Sequence, residues 1–221
     1  MKKTGIFIFS LILVYNSCSG QQGDASDSKS AFYNPDFEIT FFSNAENVDA
    51  IERNTLAANL IEKSYAVEGT LKDSILNEAK NILEDVIRNN ELFYKAYVNL
   101  ATVFIKKRNF DKAELILKKL NDKIEYPYAV FYLGILLEKK GKIKQAKEKY
   151  KRALYLYNEY LKTYMSSIND ELSREYVLLL LEGKEEAAKR LNDQFANSEN
   201  LPILSKEDIK SFDRDKFIND F

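Results

Sequence analysis

Few residues in this chain could carry out covalent or acid–base chemistry. Cys18 is the single cysteine in 221 residues, and histidine is absent. Without histidine the chain lacks the commonest general base and the commonest metal ligand. The usual nucleophilic pairs are therefore missing, and no glycine-rich phosphate loop or metal-ligand spacing occurs. The 34 acidic residues lie among lysines, as solvated charges do. We expect no enzymatic activity, no cofactor, no metal and no small-molecule substrate.

The cysteine instead follows a segment with the features of an export signal. Lys2 and Lys3 form a short basic region, and residues 6–15 form a mostly apolar run. That run is too short to span a bilayer as a stable helix but suits the core of a signal peptide. Ser17 then precedes Cys18, and this junction resembles the lipobox of bacterial lipoproteins.

The resemblance implies that residues 1–17 are a signal peptide and that Cys18 is lipidated, for example with palmitate. A lone cysteine in an exported protein has no internal disulfide partner, which also favours modification. Acyl chains would then attach the protein to the bacterial cell envelope, at the outer membrane for example, on the periplasmic face or at the cell surface. Two alternatives stay open: a secretory signal with an incidental cysteine, and an uncleaved anchor.

Residues 18–46 are predicted to join the lipidated cysteine to the folded domain. Residues 19–30 are polar and are expected to form a flexible tether. Large apolar residues, mostly aromatic, then cluster: Phe32, Tyr33, Phe37, Ile39, Phe41 and Phe42. We expect this lead-in to pack along the first helix and seal the end of the domain. The alternative is that it lies in a binding groove until a partner displaces it.

The elements that would position a binding site are predicted from residues 94–154. This stretch contains two helix–turn–helix units in nearly the same register, with Ala113 and Ala146 separated by 33 residues. A period of about 34 residues, with small and large residues at fixed offsets, is typical of a helical repeat array. The pattern resembles the tetratricopeptide repeat family, whose members are generally binding scaffolds. An ordinary helical hairpin with core periodicity is the alternative.

Small residues are expected where the two helices of each unit cross. Ala101 and Ala113 would take these positions in the first unit, and Gly134 and Ala146 in the second. The turn of the second unit contains Gly141, which suits a helix end that needs a positive φ. Asn109 is predicted to serve the same purpose in the first unit.

The predicted fold is all-α: a right-handed α-solenoid of antiparallel helix hairpins, with an N-terminal lipoprotein signal and a C-terminal capping helix. Tetratricopeptide-like repeats are assigned to residues 47–196 and are clearest over 94–158. The first hairpin is degenerate, with a helix over 47–68 whose apolar stripe contains Val48, Ile51, Leu56, Leu60 and Ile61. A further hairpin is predicted over 168–181 and 184–195, around Gly183. Residues 197–221 are predicted to form one helix that caps the last repeat, and Ser205 with Asp208 resembles a capping box at its start.

In the tetratricopeptide family the first helix of each unit lines a concave groove. The resemblance implies that the outward positions of these helices bind a partner: Lys95, Asn99, Thr102, Lys106, Tyr128, Phe131, Ile135 and Lys139. Such a groove would suit an extended or helical peptide with apolar side chains and some acidic character. Lys95 and Asn99 alone do not make the set with which one subgroup grips a C-terminal carboxylate. An ordinary mixed helix surface, with tyrosines partly in the core, is the alternative.

The charge balance limits the other partners. The 33 basic and 34 acidic residues nearly cancel, so we expect no nucleic-acid binding. Residues 139–152 form a local basic run that could contact anionic headgroups, or simply be a solvated helix face. The leading hypothesis is therefore a lipid-anchored envelope scaffold or adaptor that binds a protein or peptide. The alternative is a surface-exposed structural or host-interacting lipoprotein whose repeats only stabilise it.

Overall fold

The computed structural model describes residues 45–163, 168–195 and 204–221; Cys18, the predicted signal peptide and the lead-in over 32–42 lie outside these ranges. Within them, the secondary structure is helical and contains no strand, which confirms the all-α prediction. The α-helices are α1 Ala45–Lys63, α2 Gly69–Asn89, α3 Tyr94–Lys106, α4 Phe110–Asn121, α5 Pro127–Lys139, α6 Ile143–Thr163, α7 Ile168–Glu182, α8 Lys184–Phe195, α9 Lys206–Ser211 and α10 Arg214–Asp220.

The helices pack mainly against their neighbours in the chain. Each helix from α1 to α7 packs against the next one, and α8 packs against α9. Two further contacts join helices that are distant in sequence, α1 with α3 and α10 with α5. These contacts matter for function because they cover the first helices of the two clear repeat units. None of the helices in the described ranges is both long enough and apolar enough to cross a membrane.

The crossing points contain the small residues that the sequence predicts. Ala101, Ala113 and Ala146 are fully buried. At Gly134 a Cβ atom would lie 2.5 Å from Cε1 of Tyr150, so the close approach of α5 and α6 requires glycine. The close approach predicted at Gly134 is confirmed, and the two alanines of the first unit are buried.

The turns of the two units share one backbone feature, although the residues differ. Gly141 has a φ of 72°, as predicted, and Arg108 has a φ of 55° at the equivalent place. The prediction that Asn109 takes the positive φ is wrong. Asn109 instead begins α4 as its N-cap, where its side chain accepts a hydrogen bond from the backbone N–H of Lys112 at 3.2 Å.

Helix α1 buries only three of the five members of its predicted apolar stripe, in full or in part. Val48 and Leu56 are 56% and 50% exposed, whereas Ala57 and Ile61 are fully buried. The predicted stripe is therefore wrong for its two outer members. The reason is that α1 approaches its neighbours through alanines, and a pattern read from large apolar residues gives these little weight.

The last part of the chain forms two short helices where one was predicted. Ser205 and Asp208 form the predicted capping box at the start of α9. The helix then stops at Phe212, and Asp213 caps α10 by accepting a hydrogen bond from the N–H of Lys216 at 2.9 Å. After this second cap, α10 packs against α5.

Candidate functional site

Most of the predicted groove residues are buried. Five of them are at most 7% exposed: Asn99, Thr102, Tyr128, Phe131 and Ile135. The other three, Lys95, Lys106 and Lys139, are half-buried. The expectation that the first helices present all these side chains outward is therefore wrong for the five buried residues. Their role in binding a partner stays a prediction.

On α3, the predicted residues are covered by α1. The amide nitrogen of Asn99 donates a hydrogen bond to the side-chain oxygen of Asn54 on α1 at 3.0 Å, and both residues are fully buried. The hydroxyl of Thr102 donates to the carbonyl of Val98 at 3.0 Å. Buried polar groups require such partners, so this pair joins α1 to α3 rather than facing solvent.

On α5, the predicted residues belong to the core. Phe131 packs against Tyr150 of α6 in an edge-on arrangement, with ring centroids 6.1 Å apart. The hydroxyl of Tyr128 donates to the buried carboxylate of Asp170 on α7 at 3.1 Å. Burial, followed by the nearby charge of Asp170, raises the pKa of Tyr128 well above its usual value. These side chains hold α5, α6 and α7 together.

The outer surface of α5 and α7 is covered by residues 204–221, here named the 204–221 segment. Phe221 packs edge-on against Tyr132 of α5, with ring centroids 4.7 Å apart. Phe217 stacks on Tyr176 of α7 with centroids 5.3 Å apart. Phe221 and Phe217 are 6% and 4% exposed, so the segment buries its aromatic side chains on this surface.

Polar contacts fix the position of the segment at two points. The guanidinium of Arg214 donates to both carboxylate oxygens of Glu138 on α5, at 2.8 and 2.9 Å. The ammonium of Lys139 donates to the carbonyls of Ile218 and Asn219, at 2.7 and 3.0 Å. Arg214 also donates to the backbone carbonyl of Leu180 on α7. We name the surface formed by Tyr132, Glu138, Lys139, Tyr176 and Leu180 the docking face.

One end of the docking face is basic. Lys106 lies over the ring of Tyr65, with its ammonium 4.3 Å from the ring centroid. Burial lowers the pKa of Lys106 to about 8; Lys72 and Lys139 lower it further, and Asp220 of the segment opposes them. Lys106 and Lys139 are at equivalent positions of the two repeat units, 33 residues apart. The repeat thus brings two lysines to the place where α10 ends.

Part of the basic run over 139–152 forms ion pairs with acidic residues of the fold. Lys140 bonds Asp111 and Glu114 of α4, at 3.0 and 2.6 Å, and Arg152 pairs with Glu125. Hydrogen bonds from Lys118 and Lys140 lower the pKa of Glu114 to about 2. Lysines 142, 144 and 147 remain exposed. Contact of this run with lipid headgroups stays a prediction.

The sequence predicts Lys139 as an outward position, but it does not predict most of the docking face. Glu138 and Tyr176 were not predicted, nor were their partners Arg214 and Phe217. A signal was present, because residues 217, 218 and 221 form an apolar stripe on a very short helix. Such a stripe requires an apolar surface to cover it, but the sequence does not say which one.

Within the described residues, no group of acidic or cysteine side chains is arranged to hold a metal ion. Comparisons with protein-family models, with curated proteins and with solved structures find no match to this chain.

Proposed function

We propose that this chain is a lipid-anchored, non-catalytic scaffold of the bacterial cell envelope that binds a helical segment of a partner protein on its docking face. Its tetratricopeptide-like hairpins would stack as a right-handed α-solenoid. The observation that carries the proposal is that the docking face already holds an amphipathic helical segment, residues 204–221. A surface that binds such a helix in the same chain has the chemistry to bind one from another chain.

The repeat interpretation is supported by features shared by the two central units. Small residues occupy both crossing points, and both turns contain a residue with positive φ, Arg108 or Gly141. The helices also pack in sequence order, α3 on α4, α4 on α5 and α5 on α6. In repeat proteins, stacked units with such neighbour contacts form an extended concave surface.

The binding interpretation is supported by the composition of the docking face. It combines two buried aromatic side chains, Tyr132 and Tyr176, with a carboxylate that is 9% exposed, Glu138, and an ammonium, Lys139. Aromatic residues provide most of the energy in protein interfaces, and a few charged groups fix the register of the partner. Anchoring to the membrane is supported by the sequence that precedes Cys18.

The proposal can be tested by detaching the 204–221 segment from the docking face and adding the same sequence as a separate peptide. Phe217→Asp with Phe221→Asp should detach the segment, because a charge cannot be buried against the two tyrosines without cost. The probe is a fluorescein-labelled peptide with the sequence of residues 204–221. By fluorescence anisotropy, the opened full chain should bind it at least roughly tenfold more tightly than the parent, in which the chain's own segment competes.

The matched control places the same charges at exposed apolar positions. Ile168→Asp with Leu115→Asp changes residues that are 72% and 66% exposed and should leave peptide binding at the parental level. Circular dichroism shows whether the double change disturbs folding. If it does, Arg214→Ala is a milder variant that removes one polar contact between the 204–221 segment and the docking face. Equal affinity in the opened and parent chains, or equal binding of a scrambled peptide, would contradict the proposal.

A structural lipoprotein is the second candidate, and one observation favours it. The aromatic side chains of the 204–221 segment are buried on the docking face, as in a permanent cap. On this hypothesis the segment stabilises the array and exchanges with nothing. The opened chain would then lose stability without gaining affinity for the peptide, so the same experiment separates the two candidates.

A further inference from the structure

An open groove with a volume of about 600 Å³ lies between α2 and α4. Buried side chains of α3 form its base: Tyr97, Leu100 and Phe104. The α4 wall contains Leu115, which is 66% exposed, and the partly buried Ile116. The groove shares no residue with the docking face. It is therefore a second apolar surface, with a volume in the range of protein binding pockets.

The rim of the groove has more basic than acidic side chains. It contains four cations and two anions: Lys80, Arg88, Lys112 and Lys119, with Glu84 and Glu91. The two cations on α2 form ion pairs with acidic side chains of the same helix. On α4, Lys112 and Lys119 lie about one turn before and after the apolar pair Leu115 and Ile116. A ligand that fits the groove would therefore combine apolar side chains with carboxylates.

Residues 32–39 of this chain, here named the 32–39 segment, have that composition. The segment lies outside the described ranges and shortly precedes α1 in the sequence. Its large apolar residues are Phe32, Tyr33, Phe37 and Ile39. It also contains two carboxylates, Asp36 and Glu38, and no basic residue. The segment therefore complements the groove both in apolar character and in charge.

The start of α1 lies at the α2 wall of the groove. Arg53 of α1 pairs with Asp85 of α2, and Asp85 also pairs with Arg88 on the rim. Ala45 is eight residues before Arg53, or about 12 Å along the helix. The 32–39 segment lies six to thirteen residues before Ala45, a reach of about 20–43 Å for an extended chain. Since a helix is about 10–12 Å across, the segment is long enough to pass α2 and enter the groove.

The outer surface of α1 is the other candidate for this segment, and it fits less well. Its exposed apolar residues, Val48 and Leu56, have the exposed carboxylates of Asp49 and Glu52 between them. The carboxylates of the segment would be repelled there, whereas the two lysines of α4 would attract them. Charge therefore favours the groove over the outer surface of α1.

We propose that the 32–39 segment folds back and lies in the groove between α2 and α4. Its apolar side chains pack against Leu115 and Ile116, and its carboxylates face Lys112 and Lys119. The free tether is then limited to the residues before Phe32, so the groove stays within roughly 50 Å of residue 18. This placement goes beyond the proposed function and does not depend on peptide binding at the docking face.

Internal disulfide formation in the full chain tests the placement. In a Cys18→Ser background, Asn34→Cys marks the segment and Leu115→Cys marks the groove. The matched competitor has Leu56→Cys in place of Leu115→Cys, because Leu56 is 50% exposed on the outer surface of α1. With copper phenanthroline as oxidant, the groove pair should form its disulfide at least roughly tenfold faster than the α1 pair, since binding raises the local thiol concentration. Non-reducing gel electrophoresis and peptide mass mapping measure both rates.

Charge reversal tests the chemistry of the placement. Lys112→Glu with Lys119→Glu should slow the groove disulfide by roughly threefold or more, because the carboxylates of the segment are then repelled. Reversing the segment as well, with Asp36→Lys and Glu38→Lys, should restore the rate. This restoration also shows that the reversed groove is still folded.

The control places the same charge change elsewhere, and each further outcome has a defined meaning. Lys144→Glu with Lys147→Glu alters exposed positions of α6 and should leave the rate unchanged. An α1 pair that reacts as fast as the groove pair would overturn the placement. A disulfide-linked dimer in place of an internal bridge would show that a second copy supplies the segment, which contradicts folding back. A rate that charge reversal leaves unchanged would overturn recognition by the two lysines.

Discussion

Lys106 is enclosed by an aromatic ring and by other cations, and this makes its protonation part of the stability of the fold. Burial lowers its pKa from 10.5 to about 8. In the unfolded chain the ammonium keeps its proton up to about pH 10.5, whereas the folded protein releases it near pH 8. At this group the unfolded state therefore binds more protons between these values, and the contribution of Lys106 to the free energy of unfolding rises with pH across this window.

We predict that the free energy of unfolding increases by roughly 1–2 kcal/mol between pH 7.5 and 9.5 from this group. Urea denaturation at several pH values measures it. The buried tyrosines Tyr126 and Tyr128 have raised pKa values and stay neutral in this range. Lys106→Met should remove most of the increase, and Lys147→Met should keep it. A parent profile that rises no more steeply than that of Lys106→Met would show that burial does not lower the pKa of Lys106 in the folded chain.

The turns of the two units show what the sequence can and cannot predict at the scale of a residue. The repeat period correctly places a positive φ at Gly141, where glycine has the necessary freedom. At the equivalent position Arg108 adopts the same conformation against its own preference. Asn109 attracted the prediction because asparagine tolerates this conformation, but asparagine is also a good N-cap. Packing of α3 on α4 fixes the turn geometry, and propensity alone does not reveal it.

At the scale of the element, the crossing of α5 and α6 depends on the missing side chain of Gly134. Tyr150 cannot easily move away, because its hydroxyl donates to Glu138 at 2.8 Å and its ring is fully buried. Glu138 is in turn held by Arg214. The crossing therefore supports both the hairpin and one polar anchor of the docking face.

Gly134→Ala should lower the free energy of unfolding by about 1–2 kcal/mol, because overpacking against Tyr150 exceeds the gain in helix propensity. Chemical denaturation provides the measurement. In a Tyr150→Leu background the same change should cost little or should stabilise, which makes a double-mutant cycle the control. If Gly134→Ala is equally destabilising in both backgrounds, the loss does not come from the contact with Tyr150.

Helix boundaries were predictable where the apolar periodicity was clear and a glycine or a capping residue marked the end of the helix. Helices α7 and α8, joined at Gly183, match the predicted hairpin, and the capping box opens α9 as expected. The docking face was harder to predict from the sequence. Periodicity identifies which residues of a helix share a face, but it does not identify what covers that face. Asn54 of the covering helix α1 is 45 residues from its partner Asn99 in the sequence. Ile218 of the covering helix α10 is 79 residues from its partner Lys139.

At the scale of the whole molecule, the array and its docking face serve the proposed function only if the chain is attached to the envelope. We predict that this attachment depends on Cys18, because acyl chains add membrane affinity with each buried methylene and two or more chains give stable anchoring. Expressed in a bacterial host, the parent chain should enter the detergent phase on Triton X-114 partitioning and incorporate labelled palmitate. Cys18→Ser should lose the label and shift to the aqueous phase.

Two further variants complete this last prediction. Ser205→Cys in the Cys18→Ser background restores a thiol at a described, half-buried position and should not restore the label, since the signal lies in the residues that precede Cys18. A Cys18→Ser chain that stays in the detergent phase would contradict lipid anchoring, because an uncleaved segment over residues 6–15 would then hold the membrane. A chain that enters the aqueous phase with or without Cys18 would favour the secretory alternative. In that case the docking face would act on soluble partners.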